Sequence, residues 1–486
     1  MTFNSWEFLL FYPIVALLYF VLPRKLKWPM LLVASYYFYA CYQAELTVLI
    51  FGTTLISWIA SNIISRTDNK RVKKLWLSIT LIVCFGVLFF YKYFNFLSGS
   101  VTGVINMLGG EVSAFEMKLL LPVGISFYTF QTLSYVIDVY RGEVEPERNF
   151  FFYALFVSFF PQLVAGPIER PGNLVPQLKE PHRFTVDNGI KGGKHMLVGF
   201  FKKICVADLI SVYVNAVYND VESASAVGII IATVLFAVQI YCDFSGYTDI
   251  AIGCARVMGI RLMKNFDHPY TAKTVKEFWS RWHISLSTWF KDYLYIPLGG
   301  NRCKKPRAMF NIFVVFLVSG LWHGANWTFV IWGVVHAIYQ IIGTLTIPYR
   351  NSLIRRIGIS PDSLPIAFIR RTVTFILVCF AWIFFRANTV GEAGIIMEKL
   401  FSTGWNVTIS GTLTHMGLDT VAIAMTALSI ITLVMLDRMV TYEDERDTSD
   451  ILVRDASFVY LIWIILFAWA LLLSKDMMST FIYFQF

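Results

Sequence analysis

The sequence predicts an all-α polytopic membrane protein. Only 15% of its 486 residues are charged, whereas soluble domains carry about 25%. The mean hydropathy is +0.60, and 57% of the residues are hydrophobic. Apolar stretches of about 20 residues, the length that a helix needs to cross the hydrocarbon core, recur along the chain. Together these observations exclude a soluble globular protein.

The apolar segments predict about 11–13 membrane segments in one membrane domain that covers residues 1–486. The clear segments are 6–22, 28–42, 45–64, 75–97, 119–139, 227–243, 308–325, 327–346, 366–385, 418–436 and 457–474, and two weaker ones are 150–166 and 193–218. The N-terminus lacks a basic region and a small-residue cleavage site. Segment 6–22 is therefore expected to remain as a span and not to be removed as a signal peptide.

Basic residues in the short loops predict the orientation. Loop 23–27 holds Arg24, Lys25 and Lys27, and loop 65–74 holds five further Lys and Arg residues. Both loops are expected to face the cytoplasm, which places the N-terminus outside. We attribute the net charge of +9 to this topology, because no Lys/Arg block is long enough to indicate nucleic-acid binding.

Two regions do not fit a simple succession of spans. Pro161 interrupts segment 150–166, so we expect a re-entrant or half-crossing segment there. Residues 244–307 combine eleven Lys and Arg with interleaved aromatic side chains. They predict short amphipathic or re-entrant helices at the cytoplasmic interface. Such a basic surface suits an anionic, phosphate-bearing ligand, although ordinary enrichment of positive charge in cytoplasmic segments is an alternative explanation.

His323 is the main candidate for chemistry, because ionisable residues inside membrane spans are costly and are functional candidates by default. It lies in the apolar sequence LVSGLWHGANW (317–327). Helical spacing places Ser319 and either Asn326 or Trp327 on its face, and the glycines at 320 and 324 leave room for a close approach. A histidine that merely bonds between helices is the alternative interpretation.

The other histidines carry weaker signals. His283, in the sequence EFWSRWHISLSTWFKD (277–292), is expected to bind, orient or relay a proton, or else to be structural. His336 follows His323 at a helical rotation of about 220°, so a metal pair on one helix is not expected. His182, His195, His268 and His415 are interpreted as structural. The seven scattered cysteines form no C-x-x-C or metal-ligand spacing, so neither disulfides nor zinc is expected.

Asp243 and Asp249 end the apolar segment 227–243. They are expected to line a polar cavity, or Asp243 is expected to pair with a nearby arginine. No Walker loop and no G-x-S-x-G motif is present in the sequence.

At several motifs the chain resembles the membrane-bound O-acyltransferase (MBOAT) family, and within it the bacterial branch that includes the alginate O-acetylation membrane protein and is related to the teichoic-acid D-alanylation membrane protein. The matching segments are PVGISFYTFQ (122–131), FPQLVAGPIER (160–170), YCDFSGYTD (241–249), FWSRWHISLSTW (278–289), GLWHGA (320–325), WIFFRA (382–387) and FIYFQF (481–486). Their joint order and spacing cover nearly the whole chain.

The resemblance implies a ring of helices around a funnel-like core with re-entrant helices, of which residues 244–346 form the catalytic part. It implies that His323 is catalytic and that His283 is a second functional residue. It further implies a bacterial cytoplasmic membrane, a cytoplasmic acyl thioester as donor, a hydroxyl as acceptor, and an extracytoplasmic partner protein that transfers the acyl group to an envelope polysaccharide. No permanently bound cofactor and no metal are expected.

On this basis we expect acetyl-CoA to dock near residues 256–307 and His323 to remove the proton of the acceptor hydroxyl. Further candidate substrate-binding residues, which position the thioester or stabilise its oxyanion, are Asn326, Ser287, Trp282, Arg281 and Asp243. Two alternatives remain. One is transfer of D-alanine or another acyl group from a cytoplasmic carrier protein to teichoic acid. The other is a transporter or flippase for an envelope precursor, which broken helices and a buried ionisable residue also fit.

Overall fold

The computed structural model describes residues 1–164, 166–403, 405 and 408–444, and the regular structure of these residues is entirely helical. The described chain forms two compact units. Unit 1 comprises Met1–Met196 and Thr248–Met263, and unit 2 comprises Leu197–Tyr247 and the described residues from Lys264 onward. The predicted all-α class is confirmed, and the last predicted span, 457–474, lies outside the described residues.

Ten helices begin in the described residues of unit 1, and the last of them extends four residues beyond it. They are α1 (Trp6–Val21), α2 (Arg24–Gln43), α3 (Thr47–Arg66), α4 (Lys70–Leu88), α5 (Phe94–Met107), α6 (Ile125–Arg141), α7 (Phe150–Ser158), α8 (Phe160–Leu163), α9 (Pro171–Lys179) and α10 (Val186–Phe200). A 3₁₀ turn at Ala44–Leu46 precedes α3, and a π-helical turn at Phe89–Tyr93 joins α4 to α5. Most residues of α6 are buried, so this helix packs inside the unit.

The interruption expected near Pro161 is present. Helix α7 ends at Ser158, and α8 restarts at Phe160 with the proline in its first turn. A proline is tolerated there because its missing N–H has no partner in a first turn. The break therefore falls just before the proline. The expected re-entrant course of this segment remains a proposal.

Unit 2 begins with the end of α10 and a π-helical segment, Phe201–Asp208. Its helices are α11 (Leu209–Tyr218), α12 (Ala226–Val257), α13 (Val275–Arg281), α14 (Ile284–Phe290), α15 (Lys305–His323), α16 (Trp327–Arg356), α17 (Leu364–Arg386), α18 (Val390–Glu398), α19 (Ile409–His415) and α20 (Thr420–Asp444). Short 3₁₀ or π-helical turns occur at Pro269–Thr271, Lys291–Tyr295 and Lys399–Thr403. Residues 248–257 of α12 belong to unit 1.

Seven segments of the described chain are long and apolar enough to cross a membrane. They are Ala44–Arg66, Lys70–Met107, Ala226–Val257, Lys305–His323, Trp327–Arg356, Leu364–Arg386 and Thr420–Asp437. The chain is therefore a multi-pass membrane protein. The predicted segments 6–22, 28–42 and 119–139 correspond to helices α1, α2 and α6, which are outside this set. The total of 11–13 membrane segments remains a prediction.

The largest difference from the expected boundaries concerns α12. The apolar pattern placed its end at residue 243, but the helix continues for fourteen residues to Val257. Asp243 is almost fully buried, and so are Ser245 and Thr248 after it. These polar residues resemble a helix end in the sequence, yet they lie on the buried continuation of the same helix.

The basic region that follows forms short helices, as expected. Helix α13 starts at the N-cap Thr274, whose side chain accepts a hydrogen bond from the backbone N–H of Glu277. Helix α14 begins directly after His283 and leads into the π-helical turn Lys291–Tyr295. Their location at a membrane interface remains a proposal.

Helices α15 and α16 form a tightly packed pair whose backbones approach through glycines. A Cβ atom on Gly320 would lie 2.3 Å from the carbonyl oxygen of Phe329, and one on Gly333 would lie 2.4 Å from that of Phe316. Small residues permit such close helix packing in membranes. The pair therefore holds the end of α15, where His323 lies, in a fixed position against α16.

Candidate active site

His323 is the last residue of α15, at the break between two apolar helices. Gly324 continues in an extended conformation, and Asn326 caps the start of α16. The side chain is 2% exposed. Its ring contacts Trp332 edge-on with centroids 4.9 Å apart and Phe385 with centroids 5.4 Å apart. The imidazole thus lies in an aromatic enclosure at a helix break, a place where a backbone turn brings polar groups into an apolar region.

The second candidate, His283, lies in the turn between α13 and α14 and is fully buried. Its backbone adopts the left-handed conformation, with φ 45° and ψ 55°, which is uncommon for residues other than glycine, although asparagine, aspartate and histidine adopt it more often than most. Its Nδ1 atom lies 3.1 Å from Oδ1 of Asn265. The backbone N–H of Ile284 donates to the carbonyl oxygen of Asn265 at 2.9 Å. Asn265 thus holds both the side chain and the backbone of this turn.

Both histidines contact the indole of Trp322. The centroid of this ring lies 5.8 Å from that of His283 and 5.0 Å from that of His323. Phe244 packs edge-on against the other side of His283, with centroids 4.6 Å apart. The structure therefore places both predicted histidines in one aromatic cluster, although they are 40 positions apart in the sequence.

His336 extends the same cluster. It lies on α16 and is fully buried, and Trp332 separates it from His323, with centroids 4.9 Å from each ring. The indole N–H of Trp279 donates to its Nδ1 at 3.2 Å. Because α15 ends at His323, the rotation expected for one continuous helix does not apply. Within the described part of the chain, no group of three or more His, Cys, Asp or Glu residues is arranged to hold a metal ion.

Two indole N–H groups in this cluster stand out. Those of Trp282 and Trp332 are buried, and no described residue accepts a hydrogen bond from them. By contrast, the indole of Trp382 donates to the hydroxyl of Tyr270 at 3.2 Å. A buried donor without a partner costs about 1–3 kcal/mol. Such donors next to a buried histidine are suited to hold the oxygen of a ligand.

A large cavity, called the basic cavity below, opens beside this cluster and has a volume of about 1150 Å³. Three cationic side chains line it, those of Lys276, Lys291 and Arg302, and its lining contains no Asp or Glu. Its wall also includes Ser319, one helical turn before His323 on α15. The cavity thus joins a positively charged region to the helix that carries His323.

Of the five predicted substrate-binding residues, Ser287 lines the basic cavity, and the other four do not. The hydroxyl of Ser287 donates to the carbonyl oxygen of Trp282 at 3.3 Å. Asn326 is occupied as a helix cap, because its Oδ1 accepts from the N–H of Thr328 at 3.1 Å and its Nδ2 donates to the carbonyl oxygen of Asn388 at 2.8 Å.

Trp282 and Arg281 do not line the cavity. Trp282 is fully buried, and its ring stacks on Phe278 with centroids 5.5 Å apart. The guanidinium of Arg281 pairs with Glu277 at 2.7 Å and donates to the hydroxyl of Thr271 at 3.0 Å. These contacts show what holds the two side chains, and their predicted roles in substrate binding remain untested.

Asp243 takes part in a buried ion pair. Its Oδ1 accepts from Nζ of Lys203 at 2.6 Å, and the same ammonium contacts Oδ1 of Asp208 at 2.8 Å. The side chains are at most 4% exposed. The partner is thus a lysine of the π-helical segment Phe201–Asp208, whereas one of the two alternatives drawn from the sequence was an arginine. This pairing allows α12 to continue past a carboxylate that seemed to end it.

Sequence reasoning missed Asn265, Lys203 and Trp332. Asn265 and Lys203 make their contacts with residues 18 and 40 positions away, and Trp332 reaches His323 only because the chain turns between α15 and α16, so local spacing gave no signal. A partial signal existed for Lys203, because Lys202-Lys203 interrupts an otherwise apolar helix, and paired lysines there require buried carboxylates.

These features define a multi-pass membrane protein with a histidine cluster buried beside a basic cavity. A sequence model described as MBOAT, membrane-bound O-acyltransferase family, matches residues 146–381. The chain is 35% identical to a protein named probable alginate O-acetylase from Pseudomonas putida, with all of both chains covered. It is 34% identical to the peptidoglycan O-acetyltransferase of Helicobacter pylori, over 80% of this chain and 77% of that protein.

The chain therefore belongs to the membrane-bound O-acyltransferase family and is an O-acyltransferase. A more distant similarity joins it to the teichoic acid D-alanyltransferase of Bacillus subtilis, which is 29% identical over 46% of this chain and 58% of that protein. The stretch matched by the family model contains both His283 and His323.

Proposed function

We propose that the protein transfers an acyl group, acetyl in the first instance, from a cytoplasmic thioester to a hydroxyl, for the O-acylation of an extracytoplasmic polysaccharide. The observation that carries this proposal is the basic cavity. Its three cations suit the phosphates of coenzyme A, and its wall reaches Ser319, one turn from His323. Two relatives that match this chain over most of their length are named as a probable alginate O-acetylase and a peptidoglycan O-acetyltransferase. Their names support acetyl as the transferred group.

The proposed reaction is a single acyl exchange. His323 takes the proton of the acceptor hydroxyl as its oxygen attacks the thioester carbonyl carbon. The new C–O bond forms and the C–S bond breaks. The sulfur leaves as a thiolate and receives the proton held by His323, which gives an ester and a free thiol. The buried indole N–H of Trp332, next to His323, is our candidate donor to the carbonyl oxygen as charge develops there.

Residues 244–346 form the proposed catalytic core, because they contain His283, His323, Trp332 and every residue that lines the basic cavity. Ser287 is the candidate substrate contact that lies on the cavity wall. We assign it to the thioester side. Asn326 is proposed to act through the start of α16, which it caps, and Asp243 through its pair with Lys203.

The proposed orientation places the N-terminus outside a bacterial cytoplasmic membrane. Lys and Arg are concentrated in the loops around residues 24–27 and 66–74, and such loops stay in the cytoplasm. The acyl group then leaves on the outer side, where we propose that a partner protein passes it to the polymer. An epitope added before Met1 should react with an impermeant reagent in intact spheroplasts. A reaction seen only after lysis contradicts this orientation.

The test of function uses inside-out membrane vesicles from cells that express the chain with its native partner proteins. Labelled acetyl-CoA is supplied at the cytoplasmic face, and base-labile label on the envelope polymer is measured. We expect His323→Ala to reduce transfer roughly 10²–10⁴-fold, the usual contribution of a general base, with an unchanged amount of folded protein in the membrane. Wild-type transfer by this variant would contradict the assignment.

A carrier protein remains an alternative donor, because the D-alanyltransferase of Bacillus subtilis is a relative. A thioester-loaded carrier and free acetyl-CoA are compared in the same vesicles. Transfer from the carrier alone replaces the coenzyme by a protein donor but leaves the acyl exchange at His323 unchanged. Transport of an intact envelope precursor, the alternative from another class, predicts movement of the polymer unit with no release of thiol.

A further inference from the structure

We infer that Asn265 is a positioning residue that fixes the tautomer of His283, so that Nε2 of this histidine accepts a hydrogen bond from an N–H or O–H group of a substrate. This inference rests on the proposed function for its statement that a substrate reaches the site. The tautomer itself follows from the hydrogen bonds of buried groups and is measurable without turnover.

The orientation of the Asn265 amide is set by a group that can only donate. The backbone N–H of Ser285 points to one amide atom of Asn265 at 3.2 Å, and the Ser285 hydroxyl donates to the same atom at 2.9 Å. A backbone N–H cannot bond to an NH₂ group, so this atom is the carbonyl oxygen Oδ1. The contacts of Ser285 thus establish which atom of the Asn265 amide is the oxygen and which is the nitrogen.

The same oxygen then decides which nitrogen of His283 carries the proton. Nδ1 lies 3.1 Å from Oδ1 of Asn265, and two acceptor atoms cannot bond to each other without a proton. Nδ1 is therefore the N–H of the ring. A fully buried imidazole is favoured in its neutral form with one ring proton, so Nε2 holds a lone pair.

His336 provides the opposite case in the same cluster. Its Nδ1 receives the indole N–H of Trp279 at 3.2 Å, and an indole nitrogen can only donate. Its proton is therefore on Nε2. Two fully buried histidines thus have opposite tautomers because one faces an amide oxygen and the other an indole N–H.

The tautomer restricts what His283 contributes to acyl transfer. A neutral ring with a lone pair on Nε2 cannot donate from that atom to the oxyanion of the thioester. It holds a group that donates, either an amide N–H of the pantetheine arm or an O–H of the acceptor. The neighbouring Ile284 and Ser287 line the basic cavity, so a substrate in the cavity lies beside this turn.

Asn265 also secures the unusual backbone of this turn. Its backbone carbonyl oxygen accepts a hydrogen bond from the backbone N–H of Ile284 at 2.9 Å, directly after the left-handed His283. One buried residue thus sets both the direction of the imidazole and its protonated nitrogen. An aspartate at position 265 offers the same acceptors, whereas a leucine of similar shape offers none from its side chain.

The direct experiment is solid-state NMR of the full chain in lipid bilayers with ¹⁵N-labelled histidine. The shifts of the ring nitrogens distinguish protonated from unprotonated atoms, and His283→Asn identifies the His283 signals by their loss. We expect a protonated Nδ1 and an unprotonated Nε2 at His283, and the reverse at His336. A protonated Nε2 at His283 in the neutral ring overturns the inference, whether or not the preparation transfers acyl groups.

The functional experiment compares substitutions that keep or remove single atoms. His283→Asn retains a donor near the position of Nδ1 and tolerates the left-handed backbone, but it lacks an atom at Nε2. We expect at least a tenfold loss of transfer by folded protein. A higher KM for acetyl-CoA identifies a thioester N–H as the bound group, and a higher KM for the acceptor identifies its O–H. Unchanged kinetics overturn the inference.

Substitutions of Asn265 complete the comparison. Asn265→Leu is expected to lower kcat at least tenfold and to mix the two tautomers of His283 in the NMR spectrum. Asn265→Asp is expected to recover much of the loss and to restore a single tautomer. Equal effects of both substitutions contradict a positioning role. If the wild-type protein releases no thiol from acetyl-CoA while the tautomers are as inferred, the proposed function fails and the assignment of the ring proton stands.

Discussion

His323 owes its position to the end of a helix. Helical spacing in the sequence placed Ser319 and either Asn326 or Trp327 on its face, as on a continuous helix. In the structure α15 ends at His323, and Asn326 is the N-cap of α16. The side chain expected to contact a substrate is instead needed to restart the chain as a helix. Aromatic rings pack against the imidazole, and one of them, Trp332, has a buried indole N–H for which no described residue is an acceptor.

We therefore predict a specific effect of removing one N–H group. Trp332→Phe keeps an aromatic ring beside His323 but removes the indole donor. If this donor holds the carbonyl oxygen, kcat for acetyl transfer should fall roughly 10²-fold, with little change in the KM for acetyl-CoA. Steady-state kinetics of thiol release in vesicles measure both constants.

The matched control is Trp382→Phe. Trp382 is equally buried, but its indole N–H already donates to the hydroxyl of Tyr270. We expect this variant to lose stability with a small effect on kcat per folded molecule. If both variants reduce kcat to the same extent, packing of the cluster accounts for the loss, and Trp332 has no role as a donor.

At this scale the sequence predicted the two histidines as candidates but missed Asn265 and Trp332, which contact them. An ionisable side chain in an apolar run is visible in the sequence because its burial is costly. Asn265 precedes His283 by 18 positions in a polar loop, and nothing in the loop indicates that its amide is fully buried. Its role arises only when the chain folds back on itself.

The pair of helices α15 and α16 is the element on which the site depends. We predict that Gly320→Ala lowers stability by about 1–3 kcal/mol and reduces transfer, because the new methyl group meets the backbone carbonyl of Phe329 at 2.3 Å. Backbone cannot move aside as a side chain tip can, so α15 must shift with His323 at its end. Thermal unfolding in detergent and vesicle transfer assays measure the two effects.

Gly343→Ala is the control on the same pair. Gly343 also lies within a helix, but a Cβ atom there has no neighbour within 4 Å. Alanine favours the helix over glycine by about 1 kcal/mol, so this variant should be as stable as the wild type or more stable, with full transfer. Equal destabilisation by the two alanines contradicts the close approach of the helices.

A buried carboxyl group in unit 1 predicts a dependence of stability on pH. Glu169 is fully buried, and its oxygens accept from the N–H of Met263 at 2.6 Å and from Nδ2 of Asn173 at 2.7 Å. Burial raises the pKa of Glu169 to about 7, although these hydrogen bonds oppose the shift. A raised carboxyl pKa in the folded state means that stability falls as the pH rises from about 4.5 to about 7.

We predict that Glu169→Gln removes this dependence. The melting temperature of the wild type should fall relative to that of the variant between pH 5 and pH 8, because ionisation costs the folded protein about 3 kcal/mol at most. Glu145→Gln, at an exposed position nearby in the chain, serves as the control for loss of a charge. A constant difference between wild type and Glu169→Gln across this range contradicts the prediction.

The bounds of a helix were predicted well where an apolar run sets them, and poorly where a buried ion pair with a distant segment sets them. The segments 308–325 and 327–346 correspond to α15 and α16, because an apolar run in a membrane has to become a helix. The end of α12 was misplaced by fourteen residues, since Asp243 looked unfavourable for a helix until Lys203 paired with it. A buried ion pair between distant segments leaves no local pattern.

On the scale of the whole molecule, the sequence predicted a concentration of basic residues but not how these residues are arranged in space. The sequence showed a basic, aromatic region between residues 244 and 307 without indicating whether it forms a surface or encloses a space. The structure gathers Lys276, Lys291 and Arg302 around one cavity whose lining contains no carboxylate. An excess of cytoplasmic positive charge alone does not require such a cavity.

This arrangement predicts how the donor thioester is held. Lys276→Glu and Arg302→Glu should each raise the KM for acetyl-CoA roughly 3–10-fold, because both side chains are exposed and solvent weakens their attraction to phosphate. The effect should shrink at high salt and should be absent with acetyl-pantetheine, which has no phosphate. The control is Arg355→Glu, at the exposed end of α16 and outside the cavity. It should leave the KM unchanged for both donors, acetyl-CoA and acetyl-pantetheine. Equal sensitivity of acetyl-CoA and acetyl-pantetheine to the cavity substitutions indicates that these cations contribute to folding and do not hold the phosphates of the donor.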